Sequence, residues 1–382
     1  MHRCSWGSGV STKGVSPVQR GHDIGCRARC DCGQTVLMTP ARPEHPSMAD
    51  RLVHLAGQAP AALGLGSSPG DGDEVRLLGH GESFAAWLLE AGEQRVVVRI
   101  ARRPVEELPR PMQEEFHGLS LVPEGIGPQA LVLEESVDNP LGAPYMVVGF
   151  VPGRVLPPGQ WTPGLVQAHA QQMARLHAQR FDRCGELTTP EEERRETVDI
   201  AGQFAAGLEW WSDNHPGVMN EPDVTRLARK VGAYLQDAQK VFNRLESFAL
   251  IHGDLLLPNI LVEGETGVRY IDWEWSEIGD PAQDLAYLGG RITVEPWHLP
   301  MTRAQTRDLI EVYLAASEHR AATGTVEEMM IRCDAWEVYE RFLTSLHHRS
   351  LLAGRPDLTE QERNLYASAA AHVTRELGRR FG

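Results

Sequence analysis

The sequence predicts an α+β fold in two parts: a small, mostly antiparallel β unit, then a larger and mainly helical one. Three observations carry that reading. Between residues 75 and 150 the chain runs in short stretches rich in Val, Leu and Ile, broken by glycine turns. After Gly153 the apolar residues recur at helical spacing, and Thr-x-x-Glu boxes open new segments. Within the helical part, "NILVEGETGVRYIDWE" reads as a single hairpin with two glycines in its turn. The expected division is residues 1–47, a leader; 48–152, the β unit; and 153–382, the helical unit.

The leader has neither period. It is rich in Gly, Ser, Pro and Arg, and such a segment cannot bury enough apolar surface to offset the entropy of ordering. A disordered stretch is expected, or sequence translated ahead of a start at Met48. Four of the six cysteines, Cys4, Cys26, Cys30 and Cys32, lie there beside His22, but their spacing is not that of paired C-x2-C zinc ligands. No apolar run of 7–15 residues marks a secretory signal. Cys184 and Cys333 are isolated, so no disulfide framework is expected, and a reducing, cytoplasmic setting fits.

The β unit begins with "VRLLGHGESFAAWLLEAGEQRVVVRI", three strands with turns at the first glycines and at Ala91–Gln94. A short helix is expected over Met112–Val122. "LVLEES" and "PYMVVGFVPG" supply two more strands, the second closed by Pro152-Gly153. In the helical unit, Leu165–Phe181 carries Val166, His169, Met173, Leu176 and Arg180 near helical spacing. Thr189-Pro-Glu-Glu192 has the pattern of a helix start. Val224–Leu245 places Val224, Leu227, Val231, Leu235, Ala238, Phe242 and Leu245 on one face. Thr325 and Thr359, each followed three residues on by Glu, open further helices.

Composition bounds the function. With 42% hydrophobic and 23% charged residues the chain is an ordinary globular one, and no run approaches the roughly 20 apolar residues of a membrane span. Its net charge of −15 speaks against nucleic-acid binding and is compatible with a cationic substrate.

"LIHGDLLLPNILV", from Leu250 to Val262, sets His252, Asp254 and Asn259 in an otherwise apolar run. Buried there they cost stability unless hydrogen bonds or a cation satisfy them. The spacing is H-G-D-x-x-x-x-N, and Asp272 follows at the far end of the hairpin in "IDWEWSEIGDPAQDLAYL". An Asp, an Asn and a second Asp about a hairpin suit phosphoryl transfer, which needs one group to orient the attacking hydroxyl and hard oxygens for Mg²⁺.

At these residues the sequence resembles the aminoglycoside phosphotransferase family of kinase-like enzymes, from about Val75 to Leu288. The resemblance implies a protein-kinase-like two-lobe fold, with ATP or GTP as cosubstrate and Mg²⁺ as cofactor. It implies Asp254 as catalytic base and Asn259 and Asp272 on the metal, with His252 and Asp284 bracing the loops. For the nucleotide it implies the glycine turn "GHGESFAAW", with Gly79, Gly81 and Ser83, over the phosphates. Arg99 stands where the family usually has Lys, and its ion-pair partner is expected to be Glu115, with Glu114 the neighbouring alternative. The backbone around Val147–Gly149 is expected to meet the purine.

Protein kinases carry a long activation segment and an A-P-E platform for peptides. Here Asp284 follows Asp272 by only twelve residues and no A-P-E follows, so a small-molecule acceptor is expected and a protein substrate is not. Acids (Glu274, Glu277, Glu295, Glu318, Asp334, Glu337) and tryptophans (Trp210, Trp211, Trp273, Trp275, Trp297, Trp336) are the candidate acceptor contacts. An aminoglycoside or other antibiotic is the first expectation. A metabolite such as choline, homoserine or a sugar, and a non-catalytic binding protein, are the alternatives.

A chain beginning at Met48 is expected to fold and to keep the activity of the full chain. Loss of cooperative unfolding on removal of the leader, or stoichiometric zinc in the full-length protein, would make the leader structural.

Overall fold

The computed structural model describes residues 47–68, 70, 74–318 and 323–382. Of the expected leader only Ser47 falls among them; Cys4, Cys26, Cys30, Cys32 and His22 lie outside the described residues. The chain divides into two compact units. One runs up to Phe116 and resumes at Gln129–Phe150; the other takes His117–Pro128 and Val151–Gly382.

The first unit is built on a five-stranded antiparallel sheet. Its strands are β1 (Val75–His80), β2 (Phe84–Ala91), β3 (Gln94–Ala101), β4 (Ala130–Glu134) and β5 (Tyr145–Gly149), in the order β1-β2-β3-β5-β4. In β3 the alternation is plain: Val96, Val98 and Ile100 are buried, and the residues between them are less so. Val98 faces Trp87 on one side and Val147 on the other. One side chain in two thus points into a core shared with Leu89, Tyr145 and Val147. That core is completed by α1 (Met48–Gln58), which was not among the expected elements. Leu52, Leu55 and Ala56 enter the core from it, and Ser47 opens the helix in a reciprocal capping box with Asp50. After β3 comes α2 (Met112–Leu121).

The second unit contains α3 (Pro163–Leu176), α4 (Ile200–Asn214), the one-turn α5 (Pro216–Met219), α6 (Pro222–Phe242), α7 (Pro281–Tyr287), α8 (Arg303–Ala316), α9 (Val326–Gly354) and α10 (Glu360–Phe381). In α6 the expected stripe is the buried face, from Val224 to Phe242. By contrast α9 is buried over most of its length and packs against α6, α7, α8 and α10, so charged residues such as Arg332, Glu340 and Arg341 lie inside the unit. Thr325 and Thr359 make the expected capping boxes.

Two expectations are corrected. The helix read over Leu165–Phe181 ends at Leu176, and Arg180–Phe181 form β6, paired with Phe248 and Ala249. Tertiary contacts override the periodicity there, since Arg180 donates to the Ser247 carbonyl at 2.6 Å and His177 turns inward to Asp284. Thr189-Pro-Glu-Glu192 opens only a 3-10 turn at Glu191–Glu193. The Arg194 guanidinium gathers the carbonyls of Glu186, Leu187 and Thr189 and holds the segment as a loop.

A second, three-stranded sheet lines up β6, β7 (Phe248–Ile251) and β10 (Glu277–Gly279), with β7 in the middle. Between β7 and β10 the chain leaves as the expected hairpin, β8 (Ile260–Glu263) and β9 (Gly267–Tyr270). Among the described residues no helix is long and apolar enough to cross a membrane.

Candidate active site

All four residues of β7 are buried, and the strand is held on both edges, so the residues just beyond it start from a fixed point. Gly253 makes the turn. Its φ is 81°, and a Cβ there would lie 2.2 Å from the Trp275 carbonyl oxygen, so both conformation and packing require glycine. His252 is fully buried and fixes the loop with its ring. Nε2–H donates to the Ile271 carbonyl at 2.9 Å, while Nδ1 accepts the Asp254 amide at 3.3 Å, an arrangement that needs the neutral ring. The ring also lies 4.6 Å from that of Trp273.

Beneath the loop sits Asp284, in the first turn of α7. One carboxylate oxygen accepts the His252 amide at 2.8 Å and the other the Gly253 amide at 3.0 Å. His177 Nε2 stands 3.2 Å from the same carboxylate, and its Nδ1 is 3.1 Å from the Tyr313 hydroxyl. Burial pushes the Asp284 carboxyl up, but the His177 hydrogen bond and charge and the donors at His252 outweigh it, leaving it below its ordinary value.

Asp254, Asn259 and Asp272 are brought together by this frame and by the hairpin. Asn259 Nδ2 donates to the Asp254 carbonyl at 2.8 Å and to Asp254 Oδ2 at 3.0 Å. Ile260 pairs with Tyr270, and the Ile271 amide donates to the Asn259 carbonyl at 3.0 Å, so Asp272 lies one residue past the last rung. Asp272 has a φ of 69°, the sole positive value of a non-glycine residue among the described residues. Asp tolerates that region better than most residues, yet it is an uncommon conformation held by its surroundings.

Asp254 is half-buried. Desolvation, then the charges of Asp272, Glu340 and Glu274, push its carboxyl up to about 8, against a smaller pull from the Asn259 hydrogen bond. Glu340 was not among the expected residues. It lies on α9, ion-paired with Arg341, bonded by Thr344 Oγ1 at 2.6 Å and 3.6 Å from His298 Nε2. Its carboxyl is held well below its ordinary value: burial opposes ionisation, but the charges of Arg341 and His298 prevail. Nothing in "WEVYERF" separates Glu340 from a solvated helix charge, and His177 was equally invisible as one of many helix-end histidines.

The expected nucleotide residues lie in the β unit. Arg99, on β3, is ion-paired with Glu115, which is buried, and its guanidinium stacks 4.7 Å from the Phe84 ring centroid. Glu114 is buried as well. Gly79 and Gly81 flank the β1–β2 turn; neither has a positive φ, and a Cβ at either would meet nothing within 4 Å. Ser83 is buried, and its carbonyl accepts the Arg102 amide. Val147 and Gly149 lie on β5. Val147 is paired with Val98 and with Val132, and the Gly149 amide donates to the Gln129 carbonyl at 2.8 Å.

Among the described residues no group of three or more His, Cys, Asp or Glu side chains forms a metal cluster. The donor set Asn259 plus Asp272 fits Mg²⁺ on chemical grounds. Mg²⁺ takes hard oxygens, keeps several waters, and is usually held by one or two carboxylates with substrate phosphates completing the shell. The Asn259 amide nitrogen is committed to Asp254, which leaves its oxygen as the ligating atom.

The sequence profile of the phosphotransferase enzyme family matches residues 74–327. The chain belongs to this family. Among curated proteins, viomycin phosphotransferase of Streptomyces vinaceus is 32% identical over 162 residues, 41% of this chain and 52% of the relative. Acyl-CoA dehydrogenase family member 10 of Mus musculus is 20% identical over 330 residues, 81% of this chain and 30% of the relative. The chain thus spans about half or less of the length of these relatives. Among solved structures, a choline/ethanolamine kinase family protein from Mesorhizobium loti superposes with a TM-score of 0.57 at 17% identity, covering 86% of this chain and 94% of that one. The fold is the kinase-like α+β fold of phosphotransferases, as the motif resemblance implied.

Breaking the Asp284 network has a calculable sign. Because its folded pKa is lowered, its charge stabilises the fold fully above the unfolded value, about 3.9, and that contribution is lost as pH falls through the lower folded value. Asp284→Ala strands His177 and two backbone amides, and should cost about 3–5 kcal/mol in urea unfolding at pH 7. The gap from wild type should narrow below pH 4. A loss under 1 kcal/mol at pH 7 would mean that the loop is held by other contacts.

Proposed function

We propose that this phosphotransferase is a small-molecule kinase that moves the γ-phosphate of ATP or GTP onto a hydroxyl of an antibiotic carrying amino groups. The observation that carries the reading is the constellation of Asp254, Asn259 and Asp272. The Asp254 carboxylate is bonded by Asn259, and Asn259 and Asp272 stand at the two ends of one hairpin with hard oxygen donors. The family membership of residues 74–327 supports the reaction class, and the similarity to viomycin phosphotransferase supports the acceptor class. The negative charge around Asp254 favours a cationic acceptor.

In this reading Asp254 accepts the proton of the attacking hydroxyl. Asn259 positions it, by holding its carboxylate oxygen and its own carbonyl. His252 and Asp284 keep the loop in place beneath it. Mg²⁺, held by Asn259 and Asp272, supplies charge neutralisation at the phosphates. In the free protein Asp254 tends to retain its proton at neutral pH. A cation held at Asp272 would offset one of the charges that raise it.

For the nucleotide, Arg99 is the proposed contact to the α- and β-phosphates, kept extended by Glu115. Its fork spreads wider than a lysine ammonium. Nothing in the fold itself demands glycine at positions 79 and 81, which suits a turn kept bare for phosphate oxygens. The purine is proposed to meet the backbone beyond Gly149, since Val147 and Gly149 are already engaged in the sheet.

Two measurements test this. Nucleotide with Mg²⁺ should raise the melting temperature more than nucleotide alone, because a ligand selective for the native state stabilises it. Asp272→Ala should erase most of that metal-dependent increment while leaving the unliganded protein folded; an unchanged increment would remove Asp272 from the metal site.

Asp254→Asn should cut turnover about 10²–10⁴-fold against whichever antibiotic in a panel is phosphorylated, with nucleotide affinity nearly unchanged. Wild-type turnover by the Asn variant would end the assignment of Asp254 as base. Phosphorylation of choline, homoserine or a sugar in place of every antibiotic would replace the acceptor class.

A further inference from the structure

A cavity of about 560 Å³ lies in the helical unit, between the chain entering α3, the N-terminal half of α8 and the segment that leads into α8. Neither Asp254, Asn259 nor Asp272 lines it. Its volume is that of a small-molecule site. The floor is apolar: Trp161, Met301, Leu309 and Val312 come from three separate stretches of chain, with Met301 and Leu309 almost wholly buried. Two carboxylates, Glu295 and Asp308, stand at its exposed rim. No Lys, Arg or His lines the cavity, and neither carboxylate makes an ion pair among the described residues.

We propose that this cavity is a second small-molecule site, for an amphipathic amine with an apolar ring and an ammonium group. The ring covers the Met301–Leu309–Val312 floor. The ammonium sits between Glu295 and Asp308.

The site is wired to the catalytic segment by two routes. The Trp297 carbonyl, two residues from Glu295, accepts the Leu257 amide at 3.0 Å, within the 3-10 turn that delivers Asn259. Trp161 also meets the His169 ring edge-on at 6.1 Å between centroids, and His169 Nδ1 is 3.2 Å from the hydroxyl of Tyr270, two residues before Asp272. Through these contacts the cavity wall is linked, at one remove, to both ends of the hairpin that carries Asn259 and Asp272.

The test uses the full chain and N-(2-aminoethyl)benzamide as probe, titrated by ligand-observed NMR. Saturable binding with a Kd on the order of 10⁻⁴ M is expected for a ligand of this size. Removing the charges in the double variant Glu295→Gln/Asp308→Asn, or the ammonium in neutral N-propylbenzamide, should weaken binding about fivefold or more. Val312→Trp fills the floor and should abolish it. Asp254→Asn should leave it unchanged.

Failure of the wild type to saturate overturns the proposal. So does equal binding of the neutral probe, or undiminished binding by the double or the filled variant. Loss of binding in Asp254→Asn would assign the probe to the catalytic site and overturn it equally. None of these outcomes depends on the kinase reading, since no turnover is measured.

Discussion

Much of the helical unit is organised about a single carboxylate, Asp284. It is fully buried, and a charge in that position is tolerable only if every oxygen is answered. Two answers come from backbone amides of the segment that carries the proposed base, and a third from His177, near the end of α3. Three distant stretches of chain, α3, the loop after β7 and α7, are therefore tied at one point. Burial raises the cost of ionisation, and these donors more than repay it, since the carboxyl ends below its ordinary value. A neutral residue at 284 would leave two amides and an imidazole without an acceptor. For that reason the loop is tied to the buried core beneath it at Asp284.

Charge on the other side of the loop is arranged in the opposite sense. Around Asp254 the neighbours are acids, and its carboxyl is pushed up rather than down. This crowding of like charge opposes ionisation of Asp254. The left-handed backbone at Asp272 is also locally unfavourable. It stores a modest cost at a proposed metal ligand, offset by the pairing of β8 with β9 and of β7 with β10 on either side. Asp284 and Asp254 differ in donors, not in residue type, and that difference separates a brace from a proposed base.

What was legible in the sequence followed physical locality. The α6 stripe, the Thr325 and Thr359 boxes and the β8–β9 hairpin depend on residues close in the chain, and all three are present in the structure. The spacing of Asp254, Asn259 and Asp272 could be read because one hairpin holds all three. What failed was set by distant partners. The helix after Pro163 stops early because His177 and Arg180 are claimed from elsewhere. The capping box at Ser47 was a local signal, but it sits at the edge of a segment without period, and α1 went unread. Glu340 carried no local signal at all: its importance rests on Asp254, Arg341 and His298 converging on it through the fold.

The same locality bears on acceptor choice. The acids read from the sequence as acceptor contacts do not form one set in the structure. Asp334 is consumed by Tyr234 and Arg380, and Glu337 accepts the Ile292 amide at 2.6 Å. Among the tryptophans, Trp273 and Trp336 are core residues, each with its N–H committed, to the Tyr270 carbonyl and to Asp280. Trp297 is different: it is partly exposed, stacked near His348 and Tyr366, and its carbonyl is bound to the Leu257 amide next to the catalytic segment. A residue held in that way transmits the position of the 295–301 segment directly to the loop bearing Asn259. The acids of the helical unit therefore do not act as one set: Asp334 and Glu337 serve the fold, and the charges that bear on Asp254 are those of Asp272, Glu340 and Glu274.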